Sequence, residues 1–186
     1  VVRRDKRIKV VALLDNVIPH ERRIGDRLFA RYMIKSVGGY VAMSDSVLKD
    51  AKSFDDTKPC SLTPHPLYDN FGDKVSRDEA IAHLRLDAGQ RYILFFGLIR
   101  DYKGLDLLLR AFADKRLRGK NVKLLVAGEF YSNAERYEQL EQELELAQHI
   151  VWCKEFIPAD EVRYYFAVAD LVAQPYKSAT QSGITQ

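Results

Sequence analysis

The sequence predicts an α/β protein built on parallel sheets, and three observations carry that expectation. Short apolar, β-branched runs alternate with segments of helical periodicity along all 186 residues. The runs are predominantly apolar and, like strands covered on both faces, do not alternate with polar residues. A break at Pro64-His65-Pro66 divides the alternation into two blocks.

In the first block, Ile8 to Leu14 reads as a buried strand ending at Asp15-Asn16. Asp26 to Val37 has helical periodicity, with Asp26 placed to cap the first turn and Gly38-Gly39 ending it. Tyr40 to Met43 is a short strand, Ser44 or Asp45 opens a helix through Leu48 and Ala51, and Ser61 to Thr63 is extended.

In the second block, Ser76 with Glu79 fits a capping box for a helix through Leu84. Tyr92 to Phe96 is a strand ending at Gly97. Leu105 to Phe112 is a helix offering Leu107, Leu108 and Ala111 to the core. Val122 to Ala127, Ile150 to Cys153 and Asp170 to Gln174 read as strands, and Asn133 to Gln148 and Ala159 to Ala169 as helices. The expected organisation is therefore two Rossmann-like parallel-sheet domains, both incomplete. Residues 1–63 end the first, 64–72 link, and 73–186 make up much of the second. The opening Val1-Val2 and the closing Thr185-Gln186 are expected to be cut ends.

Composition narrows the function classes. With 47% hydrophobic and 30% charged residues the chain can bury a core, and no apolar run approaches the ~20 residues that cross a bilayer. A net charge of +3 is too mild to point to nucleic acid. Cys60 and Cys153 are expected as free thiols of a cytoplasmic protein, and the four His show no metal-ligand spacing. Arg22, Arg23, Arg27, Arg31 and Lys35 mix with Leu28, Phe29, Tyr32 and Met33 at helical spacing. Two readings stay open for that helix: a solvated charged face, or peripheral contact with an anionic membrane.

In parallel sheets, ligands bind beyond the carboxyl ends of the strands. That rule points to Asp15-Asn16, Gly97 to Lys103, Gly128-Glu129 and Pro175 to Gly183. The most specific stretch is Phe95-Phe96-Gly97-Leu98-Ile99-Arg100-Asp101-Tyr102-Lys103-Gly104-Leu105, continuing to Ala111-Phe112. A glycine at a strand end lets a ligand approach the backbone. Arg100 and Lys103 then precede a helix whose first amides favour an anion, so this pattern suits a departing diphosphate. Two solvated loop cations is the competing reading.

This stretch resembles family-four glycosyltransferases, retaining enzymes of GT-B architecture. Gly97, Lys103, Gly104, Leu108, Ala111 and Phe112 fit the family's spacing, whereas Leu98 stands where the family usually has Arg, with Arg100 two positions later. Leu124 to Glu129 is similar to the family's strand and glycine turn, and Phe156-Ile157-Pro158 through Ala169-Asp170 to its later signature. Pro175 and Gly183 match the donor loop, with Thr180 in place of the first expected glutamate. Val10 to Glu21 resembles the strand that ends in a sugar-facing histidine; that position is Asp15 here, with His20 in the following loop.

The resemblance implies transfer of a sugar from a nucleoside diphosphate-sugar donor to a glycan or lipid-linked acceptor hydroxyl, with retention, in cell-surface polysaccharide synthesis. It implies that Gly97, Arg100 and Lys103 hold the diphosphate. Gly128, Glu129, Lys154, Glu155, Phe156, Thr180 and Gly183 would hold the nucleotide and sugar, and Asp15 or His20 would act at the sugar. No metal or other cofactor is expected, and no nucleic-acid partner. The location implied is the cytoplasm or the inner membrane face, and this stretch alone is expected not to hold a whole active site. Two other classes compete. A noncatalytic glycosyltransferase-like subunit is raised by Thr180 and Leu98. A partner-binding α/β domain would need an acidic cluster at the strand ends, which the sequence lacks.

Overall fold

The computed structural model describes residues 8–21, 23–66, 68–118, 120–131 and 134–178. These form two compact units, one taking in the described residues up to 66 together with Ser178, the other running from Tyr68 to Lys177. Both are α/β with parallel sheets, the class the sequence predicts.

The first unit carries β1 (Val11–Leu14), α1 (Asp26–Ser36), β2 (Gly39–Ala42), α2 (Asp45–Lys52) and β3 (Cys60–Leu62), with the strands side by side in the order β1-β2-β3. Ser44 caps α2 by accepting from the Val47 amide at 3.3 Å. Asp26, in contrast, does not cap α1. Gly25 takes the cap position in a left-handed conformation, and the Asp26 carboxylate instead accepts from the Arg23 amide at 2.6 Å. Lys58 closes the other end of α1, donating to the carbonyls of Ile34 and Val37.

Ile34, Ala42, Val47 and Ala51 are fully buried between the helices and one face of the sheet. The expectation of a buried strand over Ile8 to Leu14 fails. The strand is shorter, it lies at the sheet edge, and Val11 and Leu13 are 62% and 68% exposed while Leu14 is buried. Strand side chains alternate between faces, and the packed cluster covers only the face that Leu14 shares.

The second unit has a four-stranded sheet in the order β6-β5-β4-β7, formed by β4 (Arg91–Phe96), β5 (Val122–Ala127), β6 (Ile150–Cys153) and β7 (Leu171–Val172). Around it lie α3 (Arg77–Leu84), α4 (Leu105–Phe112), α5 (Lys115–Arg118), α6 (Ala134–Glu143) and α7 (Val162–Val168). The sheet is buried on both faces, as its unbroken apolar strands require. Phe95, Leu124 and Val126 pack with α4 and α6, and Leu94, Leu125 and Ala127 with α3 and α7.

Two polar devices fix the helices. Ser76 caps α3 by accepting from the Glu79 amide at 3.2 Å. Asp170 accepts from the Tyr92 amide at 2.7 Å and sits 3.3 Å from Arg77, which also donates to the Gln90 carbonyl at 3.0 Å. That carboxylate therefore seats β7 beside β4 and ties both to the start of α3.

Four sequence expectations change here. The helix after β5 runs only to Glu143, and Glu145 adopts a left-handed φ of 54°. The last helix starts at Val162, and the last strand keeps two residues. On α4 the core face is Leu105, Leu109 and Phe112 with Leu108 packed partly against it as expected, while Leu107 is 48% exposed and Ala111 faces solvent. An i, i+4, i+7 stripe buries three large side chains, more than the stripe through Leu107 and Ala111 would.

Leu109→Ala should cost the second unit about 2–5 kcal/mol, whereas Leu107→Ala should stay within about 0.5 kcal/mol. Urea unfolding followed through Trp152, the chain's single tryptophan, measures both.

Candidate functional site

The site grows from the carboxyl ends of β4, β5 and β6. Gly97 follows β4 and Gly128 follows β5, and the two backbones touch: a Cβ on Gly128 would lie 2.3 Å from the Gly97 carbonyl oxygen. With a φ of 143° as well, Gly128 admits no side chain without moving the strand ends apart. Gly97, Gly128 and Glu129 thus border one cleft of about 510 Å³, with Phe71, Phe96, Leu98, Phe156 and Ile157 forming most of its remaining wall. Phe156 is 74% exposed, an uncommon state for a phenylalanine beside a cavity. A second hollow of about 390 Å³ lies along Trp152 to Pro158, with Glu161 and Tyr165.

Past Leu98 the chain dips into the core at Ile99. Its amide donates to the Glu129 carbonyl at 2.8 Å, and its carbonyl accepts from the Tyr131 amide at 3.1 Å. It emerges into a 3-10 turn at Asp101–Lys103, which Gly104 closes with a φ of 72° as the residue before α4. No side chain caps α4. Its first-turn amides are the kind of donors that an anion satisfies.

The cations of this turn divide into two kinds. Arg136 donates to Asp101 at 2.7 Å and to Asp106 at 3.2 Å. The Lys177 ammonium reaches Asp101 at 3.1 Å and the two Asp106 oxygens at 2.9 and 3.0 Å. The hydrogen bonds from Arg136 and then Lys177 hold the Asp101 carboxyl below its ordinary pKa. Burial pulls Lys177 down, but its bonds to Asp106 and Asp101 outweigh that and leave it above the ordinary lysine value.

Among the described residues, none of these ion pairs involves Arg100 or Lys103. Arg100 lies over the Tyr131 ring at 4.0 Å, and Lys103 is 5.9 Å from the centre of the Tyr176 ring. Burial lowers the Lys103 pKa, and the neighbouring charge of Arg100 lowers it further. Among the described residues no carboxylate faces this ammonium, an arrangement whose charge an anion would satisfy.

The other expected site residues fall as follows. Lys154 pairs with Glu138 and lies over Trp152 at 5.3 Å, and Glu155 is exposed beside it. Burial raises the Cys153 thiol pKa, with Tyr165 as its hydrogen-bond partner, and both cysteines are free. Asp15 is exposed at the end of β1 in the first unit. His20 Nδ1 lies 3.0 Å from Ser178 Oγ, also of the first unit. Thr180 and Gly183 lie outside the described residues. Among the described residues, no group of three or more His, Cys, Asp and Glu side chains is placed to hold a metal ion. No described helix is long and apolar enough to cross a membrane.

The sequence profile of a family described as glycosyl transferases group 1 matches residues 76–184, more than half of the chain. The chain belongs to that family. The matched range holds Gly97, Arg100, Lys103, Gly128, Glu129 and Lys154 to Phe156, and excludes Asp15 and His20.

No curated protein matches the chain. Solved glycosyltransferase structures share the fold at low identity. Sucrose-phosphate synthase from Thermosynechococcus elongatus is 18% identical with a TM-score of 0.72, over 87% of this chain and 41% of its own. WaaG, a glycosyltransferase involved in lipopolysaccharide biosynthesis, is 19% identical with a TM-score of 0.74, over 95% and 52%. Anabaena HepE, solved with UDP and glucose, is 16% identical with a TM-score of 0.76, over 96% and 49%. This glycosyltransferase chain therefore spans about half the length of those structures.

Sequence reasoning missed Asp101, Asp106, Arg136 and Lys177 as a group, and Phe71 and Phe96 as cleft wall. One signal was readable: Asp106 is a lone carboxylate in the run Leu105-Asp106-Leu107-Leu108-Leu109, where only a partnered charge is tolerated inside.

Because Lys103 has a folded pKa below its unfolded one, its charge opposes folding at neutral pH. That penalty fades as pH rises from the lowered value toward the ordinary 10.5. Lys103→Met should therefore melt a few degrees above the parent protein at pH 7, with the gap closing near pH 10, as differential scanning calorimetry would measure.

Proposed function

We propose that this glycosyltransferase chain carries the donor side of a retaining enzyme that uses a nucleoside diphosphate-sugar. The observation that carries this reading is Lys103, half-buried and, among the described residues, without a carboxylate, on the turn that leads into the uncapped start of α4. Arg100 on the same turn adds a second cation, and the apolar cleft around Phe156 beside Gly97 and Gly128 suits a flat nucleobase. HepE, of the same fold, was solved with UDP and with UDP-glucose, which favours a uracil nucleotide as the first ligand to try.

In the reaction, the bond from the anomeric carbon to the diphosphate oxygen breaks, and the diphosphate leaves with the electron pair. The acceptor hydroxyl oxygen bonds to the anomeric carbon on the face the diphosphate leaves, and its proton passes to an oxygen of the departing diphosphate. Lys103 and Arg100 neutralise the charge gathering on the diphosphate, the work that a divalent metal ion does in other transferases. Gly97 and Gly128 let the ligand meet the backbone, and Glu129 with Lys154 to Phe156 frames the nucleoside. Thr180 and Gly183 belong to the stretch expected at the donor sugar, and Asp15 and His20 are the candidates for the sugar from the first unit.

The acceptor class we propose is a glycan or lipid-linked hydroxyl in surface polysaccharide synthesis, at the inner face of the membrane. Its support is α1, where exposed Leu28, Phe29 and Tyr32 adjoin Arg27, Arg31 and Lys35.

Titration of UDP, GDP, ADP and CDP into the protein by calorimetry tests the donor reading. At least one should bind saturably, Lys103→Met should weaken it about tenfold or more, and affinity should fall as pH rises through the lowered lysine pKa. Absence of binding by all four would reject the reading in favour of the noncatalytic alternatives, a partner-binding α/β domain or a glycosyltransferase-like subunit.

A further inference from the structure

The strand β7 holds only two residues, yet the segment just after it, Pro175 to Lys177, is tightly placed. Its attachments go to the Asp101–Gly104 turn and the helices flanking it. The Lys177 amide donates to the Tyr102 carbonyl at 2.8 Å. A Cβ on Gly104 would come within 2.1 Å of the Pro175 carbonyl oxygen, so the two backbones are in direct contact. Tyr176 meets Tyr102 edge to face, with ring centres 6.1 Å apart. The Lys177 ammonium then bridges Asp101 on the turn and Asp106 on α4, and Arg136 of α6 completes the square.

A square of charges in which only Asp106 is buried and Asp101 and Arg136 stay about half exposed contributes little net stability. What it does supply is geometry, because each charge has a set partner and a set distance. Asp106 is only 8% exposed, so its charge cannot be left without a cation. The member facing it from the 175–177 segment is Lys177. Asp101, the other carboxylate that Lys177 holds, is two residues before Lys103.

We propose that Lys177 is a positioning residue of the diphosphate site: through Asp101 and Asp106 it holds the 101–104 turn at the angle that presents the Lys103 ammonium to the ligand. This rests on the donor reading above. Lys177 itself is occupied by the two carboxylates and does not touch the ligand. Its loss leaves Gly97, Gly128 and Phe156 where they are and releases only the turn.

A diphosphate and a monophosphate of one nucleoside separate these effects, since the nucleoside half is common and the Lys103 contact belongs to the diphosphate. UDP and UMP, or whichever pair the unaltered chain binds, would be titrated into it, Lys177→Met and Asp101→Asn, with folding checked by circular dichroism. Lys177→Met should lose about tenfold in diphosphate affinity while its monophosphate affinity stays within about twofold. A diphosphate affinity within about twofold of the parent, or an equal loss for both ligands, would overturn the assignment and leave the square a purely structural feature. If Lys177→Met does not fold, Asp101→Asn decides: its carboxylate is 54% exposed, so the fold survives. There a diphosphate-selective loss of about threefold supports the proposal, and an unchanged diphosphate-to-monophosphate ratio overturns it. Failure of the parent chain to bind any nucleotide would instead remove the donor reading, and this proposal with it.

Discussion

The 101–104 turn has almost no freedom, and the arrangement of charge at the candidate site depends on that constraint. Gly104 must be left-handed to start α4, and its backbone lies against Pro175. Ile99 anchors the near end in the core, and the Asp101–Arg136–Asp106–Lys177 square fixes the middle. Between those fixed points Lys103 has only a half-buried place for its ammonium. The two carboxylates nearby in sequence, Asp101 and Asp106, are already taken by Arg136 and Lys177. Among the described residues, Lys103 and Arg100 are the cations of this region left without a carboxylate.

The same economy shows in the backbone. Gly97 and Gly128 pack against each other, which brings the ends of β4 and β5 close enough to share one cleft with Phe156. The rest of the second unit serves this edge. The two-sided core keeps the strands in register, and Asp170 seats the short β7 so that the 175–177 segment reaches the turn.

The strands were legible in the sequence because a strand buried on both faces leaves an unmistakable apolar run, as in β4 and β5. The caps at Ser44 and Ser76 were legible because hydroxyl capping is local chemistry. Failures came where tertiary context decided. Ile8 to Leu14 is as apolar as β5, and no local signal says that only one face of β1 is packed. On α4 every position from Leu105 to Leu109 except Asp106 is leucine, so periodicity could not choose the buried stripe. The charge square was invisible because its members come from four separate segments, and only the isolated Asp106 hinted at it. Lys103 stood out because glycine, cation and helix start lie within one short stretch.

The most direct test of the account is the protonation of Lys103 itself, followed by NMR of the lysine side-chain carbon and nitrogen signals across pH, with and without a nucleoside diphosphate. The account predicts titration below the ordinary 10.5 in the free protein and a shift upward once the diphosphate supplies the missing negative charge. A Lys103 that titrates at the ordinary value and does not respond to the nucleotide would contradict it.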